Sequence, residues 1–278
     1  MSVDQAFLST RPAPRSAAAK LPVSVFIIAR NEADRIARAI LGVRDWADEV
    51  IVIDSGSTDE TVAVSQSLGA RTVFHEWHGY GPQKRFGEGL CRHDWLLNID
   101  ADEEVTPAAS EEIKALFRDG EPPLKAYAVR IALMFRFERQ PRRFAVSTTC
   151  VRFYDRRYAR FKDSAVHDSV VPLSPMPIGK LTQPFRHRSM RSHRHMVDKI
   201  NSYTSMQAAD MSAKGRRFGA VSIALIPVWS FFKAYILRGY IFYGVDGVTQ
   251  SYLYAFAKLL RAAKTRERRD EARHEDET

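Results

Sequence analysis

Short apolar segments alternate with amphipathic segments along the first 120 residues. Residues 23–29 and 49–53 are almost continuously apolar, which is typical of strands buried on both faces of a parallel sheet. Between them, Ile36, Ile40 and Val43 recur at the spacing of one helix face. The alternation continues with strands at 71–75 and 95–99 and with helices at 60–68, 82–91 and from 107 onward. It predicts an α/β domain with a largely parallel sheet.

The pattern changes after Gly120. Longer strands rich in β-branched and aromatic residues are predicted at 127–137 and 145–154, and a helix is predicted at 190–214. We therefore divide the chain into a flexible leader at 1–20, an α/β domain at 21–188, a helical region at 189–260 and a charged tail at 261–278. Because the tail is almost entirely charged, we expect it to be frayed or disordered.

Composition separates the two halves of the chain by charge. With 45% hydrophobic and 27% charged residues among 278, the balance is that of a globular protein, which excludes disordered, collagenous and multi-span membrane classes. The net charge of +9 combines 13 basic and 19 acidic side chains in residues 1–120 with 29 basic and 14 acidic side chains in residues 121–278. The basic half therefore indicates an anionic partner such as nucleic acid, a membrane surface or a phosphorylated substrate.

Compartment and membrane signals are weak. Two cysteines, Cys91 and Cys150, give no disulfide framework, so a reducing compartment is expected. The first 20 residues lack a long apolar segment, which argues against a signal peptide. The longest apolar stretch, 218–232, contains Pro227 and is shorter than the roughly 20 residues of a spanning helix.

Acidic side chains stand at the carboxyl ends of two predicted strands. Asp54 ends the second strand, and Asp100 and Asp102 follow the fourth. Ligands of open α/β sheets bind beyond the carboxyl ends of the strands, and paired carboxylates suit a hard cation such as Mg²⁺ or Mn²⁺. The alternative interpretation is a solvated acidic turn.

Three blocks of sequence at these strand ends resemble a known family. They are Ile-Ala-Arg-Asn-Glu at 28–32, Val-Ile-Asp-Ser-Gly-Ser-Thr-Asp at 52–59 and Asn-Ile-Asp-Ala-Asp-Glu at 98–103. Their order and spacing resemble the family 2 nucleotide-sugar glycosyltransferases, which have the GT-A fold, a Rossmann-like α/β domain with a metal-binding Asp-x-Asp. Further blocks between residues 22 and 260, including His-Glu-Trp at 75–77 and Val-His-Asp at 166–168, are similar to the subgroup of lipopolysaccharide core β-glucosyltransferases.

This resemblance implies roles for the matched residues. The nucleotide sugar would be contacted by Ala29, Asn31, Glu32, Asp54, Gln83, Lys84 and Asp100. Asp102 would bind a Mg²⁺ or Mn²⁺ ion that neutralises the diphosphate leaving group, and His167 would be a second contact to the metal or a phosphate. Asp168 would be the general base that takes the proton from the acceptor hydroxyl, which makes Asp102 and Asp168 the catalytic residues. Asp163 is the competing base, and Asp168 could instead be a turn acid paired with an arginine.

Three histidines in the basic half invite a zinc interpretation. His187, His193 and His195 lack a Cys or carboxylate partner at the spacing of a zinc finger. We therefore interpret them as solvated or phosphate-facing side chains.

The aromatic segment at 218–243 indicates association with a membrane surface. Its aromatic residues, which are typical of a segment at headgroup level, stand beside Lys233 and Arg238, which suit anionic lipid. They include Trp229, Phe231, Phe232, Tyr235, Tyr240 and Tyr243. A helical subdomain packed on the catalytic domain and a dimer interface are the alternatives. The resemblance together with this segment predicts a cytoplasmic enzyme held peripherally at the inner face of the cytoplasmic membrane.

The leading hypothesis is a metal-dependent, inverting glycosyltransferase that moves a hexose from a nucleotide sugar to a lipopolysaccharide inner-core or related envelope glycolipid. Within it, the expected sugar is glucose and the expected nucleotide is UDP. Sugar transfer to polyprenyl phosphate or to another envelope polysaccharide is the alternative within the same class. A nucleotidyltransferase would be expected to show a glycine-rich phosphate loop after the first strand, where this chain has Ala-Arg-Asn-Glu. Nucleic-acid binding is not expected, because no recognition motif accompanies the basic charge.

Overall fold

The computed structural model of the protein describes residues 20–135, 138–142, 145–164 and 169–276. Its first half is a parallel sheet whose strands pair in the order β3-β2-β1-β4. These elements are β1 (Leu21–Ala29), α1 (Ile36–Leu41), β2 (Ala47–Asp54), α2 (Thr61–Ser67), β3 (Arg71–Phe74), α3 (Tyr80–Leu90) and β4 (Trp95–Asp100). The predicted alternation of strands and helices is confirmed.

The second half extends the same sheet with mixed pairing. β7 pairs antiparallel with β4 and β6, and β11 pairs parallel with β6 and antiparallel with β5. The elements are β5 (Glu103–Glu104), α4 (Pro107–Leu116), β6 (Ala126–Leu133), β7 (Ser147–Asp155), β8 (Ala159–Phe161), β9 (Val170–Pro172), β10 (Gly179–Lys180) and β11 (Phe185–His187). The strands β8 and β9 pair with each other in a separate two-stranded sheet. The β6 strand ends at Leu133, four residues before the predicted end, and the Thr106 hydroxyl caps α4, accepting from the amide of Ala109 at 3.2 Å.

Both faces of the sheet are buried because the side chains of each strand alternate between two apolar layers. Val25 and Ile27 of β1 face a layer that includes Ile40 of α1. Phe26 points to the other face and meets Phe161 in an edge-to-face contact with 6.1 Å between ring centroids. This double burial explains why the strands are continuous apolar runs in the sequence.

Helices form the remainder of the chain. They are α5 (His193–Ala213), α6 (Ala220–Phe232), a π-helical turn (Lys233–Leu237), a 3₁₀ turn (Tyr240–Tyr243) and α7 (Gly244–Asp276). The predicted frayed tail differs from the structure, in which α7 continues to Asp276. Its last turns are rich in Ala, Arg, Lys and Glu, which favour helix, and Arg266 pairs with Asp270 at the i, i+4 spacing.

A small aromatic cluster joins the helical region to the sheet. Phe135, which follows β6, packs on Tyr243 with 4.7 Å between ring centroids. The amide of Val146 donates a hydrogen bond to the Tyr243 hydroxyl at 3.0 Å. The segment between α6 and α7 is therefore fixed beside β6 and β7, next to the carboxyl end of β4.

Candidate active site

The loops after β1 and β2 are joined by hydrogen bonds. The Asn31 backbone amide donates to the Ser57 hydroxyl at 2.9 Å, and the Asn31 side-chain oxygen accepts from the Thr58 amide at 2.8 Å. Asn31 is held at φ 55°, in the left-handed region that asparagine tolerates better than most residues. Asp54 is buried and its carboxylate accepts from the amides of Gly56 and Ser57, both at 2.9 Å. Asn31 and Asp54 therefore shape the loops at the strand ends.

Gln83 of α3 supports the loop after β2 from behind. Its side-chain amide is fully buried and donates to the Ser55 hydroxyl at 2.9 Å and to the His75 carbonyl at 3.2 Å. Its oxygen lies 2.7 Å from Nδ1 of His75. The side chain thereby fixes Ser55, which lines the large cavity at the strand ends.

Asp100, at the end of β4, lies between two cations. Its Oδ1 is 2.9 Å from Nζ of Lys84, and its Oδ2 accepts from Arg152 of β7 at 2.9 Å. Arg152 also donates to Asn98 at 2.6 Å and to Glu103 at 2.8 Å. Lys84 is completely buried and Arg152 is nearly so. This network fixes the carboxylate of Asp100 against the floor of the site.

Charge within this network sets opposite protonation preferences for its two acids. Burial alone would raise the pKa of Asp100, but Arg152 and Lys84 overcome this effect and hold it well below its ordinary value. Burial raises the pKa of Glu103, and the charge of Arg152 only partly offsets the increase. Asp100 is therefore anionic, and its charge is already compensated by protein cations.

Asp102 stands apart from this network and faces another set of groups. Its Oδ2 lies 3.2 Å from Nε2 of His187 and 3.6 Å from a guanidinium nitrogen of Arg35. Burial would raise the pKa of Asp102, but the hydrogen bond and charge of His187 lower it to about 2. Reciprocally, burial lowers the pKa of His187, yet the Asp102 partner raises it above its usual value. Asp102 is thus a carboxylate whose nearest partner is an imidazole.

Arg35 and Arg191 tie the loop after β1 to the segment after β11. Buried Arg35 donates to Glu32 and to the carbonyl oxygens of Arg188 and Ser189, at 2.8, 3.1 and 3.3 Å. Arg191 donates to the same Glu32 carboxylate at 2.9 Å. Burial nevertheless raises the pKa of Glu32 above its ordinary value.

A cavity of about 780 Å³ opens above these groups. Four of the residues that the resemblance assigned to nucleotide-sugar or metal contacts line it: Ala29, Glu32, Asp100 and Asp102. His187 and Arg152 line the same wall. The opposite wall comes from the helical region: His195, Lys199 and Tyr203 of α5, with Arg238 and Tyr240 from the segment before α7. The cavity therefore lies between the strand ends and the helices, as expected for an α/β sheet.

The other assigned residues occupy different positions. Asn31, Asp54, Gln83 and Lys84 belong to the supporting layer behind the cavity and do not line it. His167 and Asp168 lie outside the described residues. Asp163 is an exposed side chain beyond β8, and it is not among the cavity-lining residues.

Three residues of this site escaped prediction from the sequence. Arg152 and Arg35 were single arginines in a basic chain, with no motif to mark them. His187 was interpreted as solvated or phosphate-facing because no Cys or carboxylate stands at zinc-finger spacing, and its partner, Asp102, is 85 residues away in the chain.

The site offers few side chains that could bind a metal cation. Among the described residues, no three His, Cys, Asp or Glu side chains form a metal-ligand group. Asp102 and His187 nevertheless both line the cavity, where Oδ2 of Asp102 and Nε2 of His187 lie 3.2 Å apart. Mg²⁺ characteristically takes only one or two protein carboxylates and completes its shell with substrate phosphates and water, so the carboxylate of Asp102 fits an ion delivered with a diphosphate.

Comparison with known proteins finds relatives that are named glycosyltransferases. A protein of Rickettsia felis named "Uncharacterized glycosyltransferase" is 42% identical over 253 residues, which cover 88% of this chain and 89% of that protein. The "Lipopolysaccharide core biosynthesis glycosyltransferase LpsC" of Rhizobium meliloti is 28% identical over 263 residues, covering 90% of this chain and 93% of LpsC.

Solved structures match a smaller part of the chain than these relatives do. The crystal structure of glucosyl-3-phosphoglycerate synthase from Mycobacterium tuberculosis in complex with Mn²⁺, UDP and glucosyl-3-phosphoglycerate is 25% identical, with a TM-score of 0.33 and coverage of 41% of this chain and 44% of that one.

The family description "Glycosyl transferase family 2" matches residues 24–176. With the Rossmann-like sheet expected of GT-A, the chain therefore belongs to glycosyl transferase family 2 and is a glycosyltransferase.

Proposed function

We propose that the protein is a metal-dependent inverting hexosyltransferase that moves glucose from a UDP-linked donor to the inner core of lipopolysaccharide or a related envelope glycolipid. The observation that carries the proposal is the division of labour between Asp100 and Asp102. The first is neutralised by Lys84 and Arg152, whereas the second faces the cavity beside His187. Such a carboxylate suits a cation that arrives with a nucleoside diphosphate, and His187 would be the neighbouring contact.

In this proposal the acceptor hydroxyl oxygen forms a bond to the anomeric carbon while the bond from that carbon to the diphosphate oxygen breaks. The hydroxyl proton passes to Asp168, and the nucleoside diphosphate leaves. Asp102 and His187 would hold Mg²⁺ or Mn²⁺, which supplies charge neutralisation of the leaving diphosphate. Ala29 and Glu32 would contact the nucleotide along the wall formed by β1.

The acceptor assignment is supported by the relative named for lipopolysaccharide core biosynthesis, which is matched over most of both chains. Lys199 and Arg238 on the helical wall would suit an anionic acceptor. The helical region at 189–260 would then form the acceptor side, and the sheet the donor side.

The test is a screen of UDP- and GDP-sugars for hydrolysis and transfer, with Mn²⁺, Mg²⁺ or EDTA, and with purified truncated lipopolysaccharide or polyprenyl phosphate as acceptor. We expect metal-stimulated hydrolysis of UDP-glucose and transfer to the lipopolysaccharide. Asp102→Asn should abolish the metal stimulation, whereas Asp119→Asn, at an exposed position after α4, should not. Full activity in EDTA would refute the metal role, and transfer only to polyprenyl phosphate would refute the acceptor.

A further inference from the structure

The helix α6 exposes apolar side chains that a soluble protein would bury. Val221 is 72% exposed and Trp229 is 65% exposed. They belong to a stripe at helical spacing, Val221, Leu225, Val228, Trp229 and Phe232, which continues to Leu237 at the end of the π-helical turn. The expectation that this apolar stretch is too short to span was wrong, because the helical segment continues past Phe232: Ala220–Leu237 is long and apolar enough to cross a membrane by length and composition, and 11% of it is buried in the protein. An apolar face of this extent marks a binding surface.

Four cations border the end of this stripe. Lys233 and Arg238 belong to the turns that follow α6, and Lys258 and Arg261 lie on α7. The guanidinium carbon of Arg238 is 4.6 Å from the ring centroid of Tyr254, and Nζ of Lys258 is 5.0 Å from the same centroid. One aromatic ring therefore holds an arginine from one element and a lysine from another.

These four cations lack an acidic partner within the described part of the chain. No carboxylate there forms an ion pair with Lys233, Arg238, Lys258 or Arg261, and the Nε of Arg261 is buried without a hydrogen-bond partner. Burial, followed by the charges of Arg261, Arg238 and Lys233, lowers the pKa of Lys258. Four like charges held together in this way are the electrostatic pattern of a binding site for anions.

The cluster also reaches the active-site cavity. Arg238 and Tyr240 line that cavity, and both follow the π-helical turn Lys233–Leu237. A single π-helical turn rotates the side chains that follow it, and such turns are frequent at functional sites. Here Leu237 faces solvent while its neighbour Arg238 contributes to the cavity wall. The apolar stripe, the cations and the cavity are therefore continuous.

We propose that the stripe and the four cations form one docking face for an anionic lipid bilayer, with Lys233, Arg238, Lys258 and Arg261 binding lipid phosphate groups. The stripe enters the apolar edge of the headgroup layer, and the helical wall of the cavity then stands at headgroup level. This inference rests on the proposed function only for its consequence, that a lipid-linked acceptor sugar enters the cavity from the membrane side.

A bilayer fits this face better than a second copy of the chain or a spanning arrangement. A two-fold dimer through the face would bring two sets of unpaired cations into one interface, at a large desolvation cost. A spanning α6 would have to leave α7, against which Phe231 packs on Tyr252 with 4.6 Å between ring centroids. An apolar helix bordered by cations is typical of a helix that lies in the interface.

The test is sedimentation of the full-length protein with vesicles of phosphatidylcholine alone or of an equimolar mixture with phosphatidylglycerol. Wild-type protein should bind the anionic vesicles more tightly, and less so as salt rises. Lys258→Gln with Arg261→Gln should weaken that binding about 30-fold, which corresponds to about 1 kcal/mol for each lost cation. The matched control, Lys114→Gln with Lys180→Gln, removes the same charge from α4 and β10 and should bind as wild type.

A second variant addresses the apolar stripe. Leu225→Ser with Trp229→Ser should weaken binding to both kinds of vesicle, and the variant should keep the wild-type far-UV circular dichroism. Wild-type affinity of the Lys258 and Arg261 variant for anionic vesicles would overturn the proposal. If soluble inorganic phosphate binds the protein at low millimolar concentration in calorimetric titration while vesicles do not bind, the cluster serves a soluble phosphate instead, which would overturn the proposal.

Two further outcomes are decisive. Retention of the protein on membranes after an alkaline carbonate wash would show a spanning helix, and a dimer by light scattering that is lost in the Leu225 and Trp229 variant would show a second copy.

Hydrolysis of nucleotide sugars without acceptor, measured in parallel, separates the docking-face proposal from the proposed function. Vesicle binding without donor hydrolysis would leave the docking face intact and remove the proposed function, and the reverse result would remove only the docking face.

Discussion

The Nε2 atom of His187 lies 3.2 Å from Oδ2 of Asp102, although 85 residues separate them in the chain. Sheet register explains this contact. The short strand β5 begins at Glu103, directly after Asp102, and pairs antiparallel with β11 so that His187 stands opposite Glu103. The backbone pairing of β5 with β11 thereby places a carboxylate and an imidazole side by side at the cavity.

His187→Ala should weaken the response of the enzyme to metal. Loss of one of the two proposed protein ligands should raise the Mn²⁺ concentration for half-maximal donor hydrolysis at least about tenfold. The measurement is a metal titration of UDP-sugar hydrolysis. His93→Ala, which removes a histidine paired with Asp48 at the surface, is the control and should titrate as wild type. An unchanged half-maximal concentration in the His187 variant would exclude this histidine as a ligand.

Lys84→Met should destabilise the fold. The substitution removes a fully buried cation from Asp100 and leaves Arg152 to compensate that carboxylate. Breaking a buried pair by removing one partner costs about 3 kcal/mol, which urea unfolding at neutral pH would detect. Lys114→Met, which breaks an exposed pair with Glu111, should cost less than about 1 kcal/mol. Equal losses in the two variants would contradict the buried network.

Stability should depend on pH through Asp100. Its pKa in the folded protein is lower than in the unfolded chain, so the unfolded state takes up the proton first as pH falls. The contribution of Asp100 is complete above its ordinary pKa of about 4 and declines by about 1.4 kcal/mol per pH unit below it. The difference in unfolding free energy between wild type and Asp100→Asn should therefore shrink between about pH 5 and about pH 3. A constant difference across this range would show that the two cations do not stabilise the carboxylate.

The sequence predicted which strand ends carry the acidic residues of the site, but it did not predict which side chains contact those residues. Strand ends were readable from apolar runs, so the hydrophobic pattern alone placed Asp100 and Asp102 at one edge of the sheet. The support of Asp100 by Arg152 was not readable, because it depends on the antiparallel pairing of β4 with β7, a long-range choice without a local signal. Charge density misled the prediction for residues 261–276, since alternating charges at i, i+4 spacing stabilise a helix as readily as they solvate a coil.

Gly81→Ala should impair transfer more than folding. A Cβ at this position would lie 2.5 Å from the carbonyl oxygen of Lys162 and would also clash with the Ser164 carbonyl, both of them backbone atoms. The segment 162–164 would have to move away from α3, and Asp168 follows it closely in the chain. We expect turnover to fall about tenfold or more, with a smaller change in the KM for donor.

The control for this substitution lies in the same helix. Gly89→Ala meets no atom within 4 Å and replaces a helical glycine, so it should keep full activity and raise stability by up to about 1 kcal/mol. The measurements are steady-state kinetics and urea unfolding for both variants. Wild-type turnover in Gly81→Ala would show that the backbone at 162–164 can shift without affecting catalysis.

Asp168→Asn should abolish sugar transfer while leaving donor binding intact, because a general base acts on the acceptor proton and makes no contact that the ground-state donor requires. Asp163→Asn is the matched comparison, since its carboxylate is exposed and apart from the cavity lining. Transfer to truncated lipopolysaccharide gives the turnover, and calorimetric titration with UDP in the presence of Mn²⁺ gives the donor affinity. We expect a loss of at least about 100-fold in turnover for the Asp168 variant and near wild-type turnover for the Asp163 variant. The opposite ranking would assign the base to Asp163, and a loss of UDP affinity in Asp168→Asn would assign that carboxylate to the donor site instead.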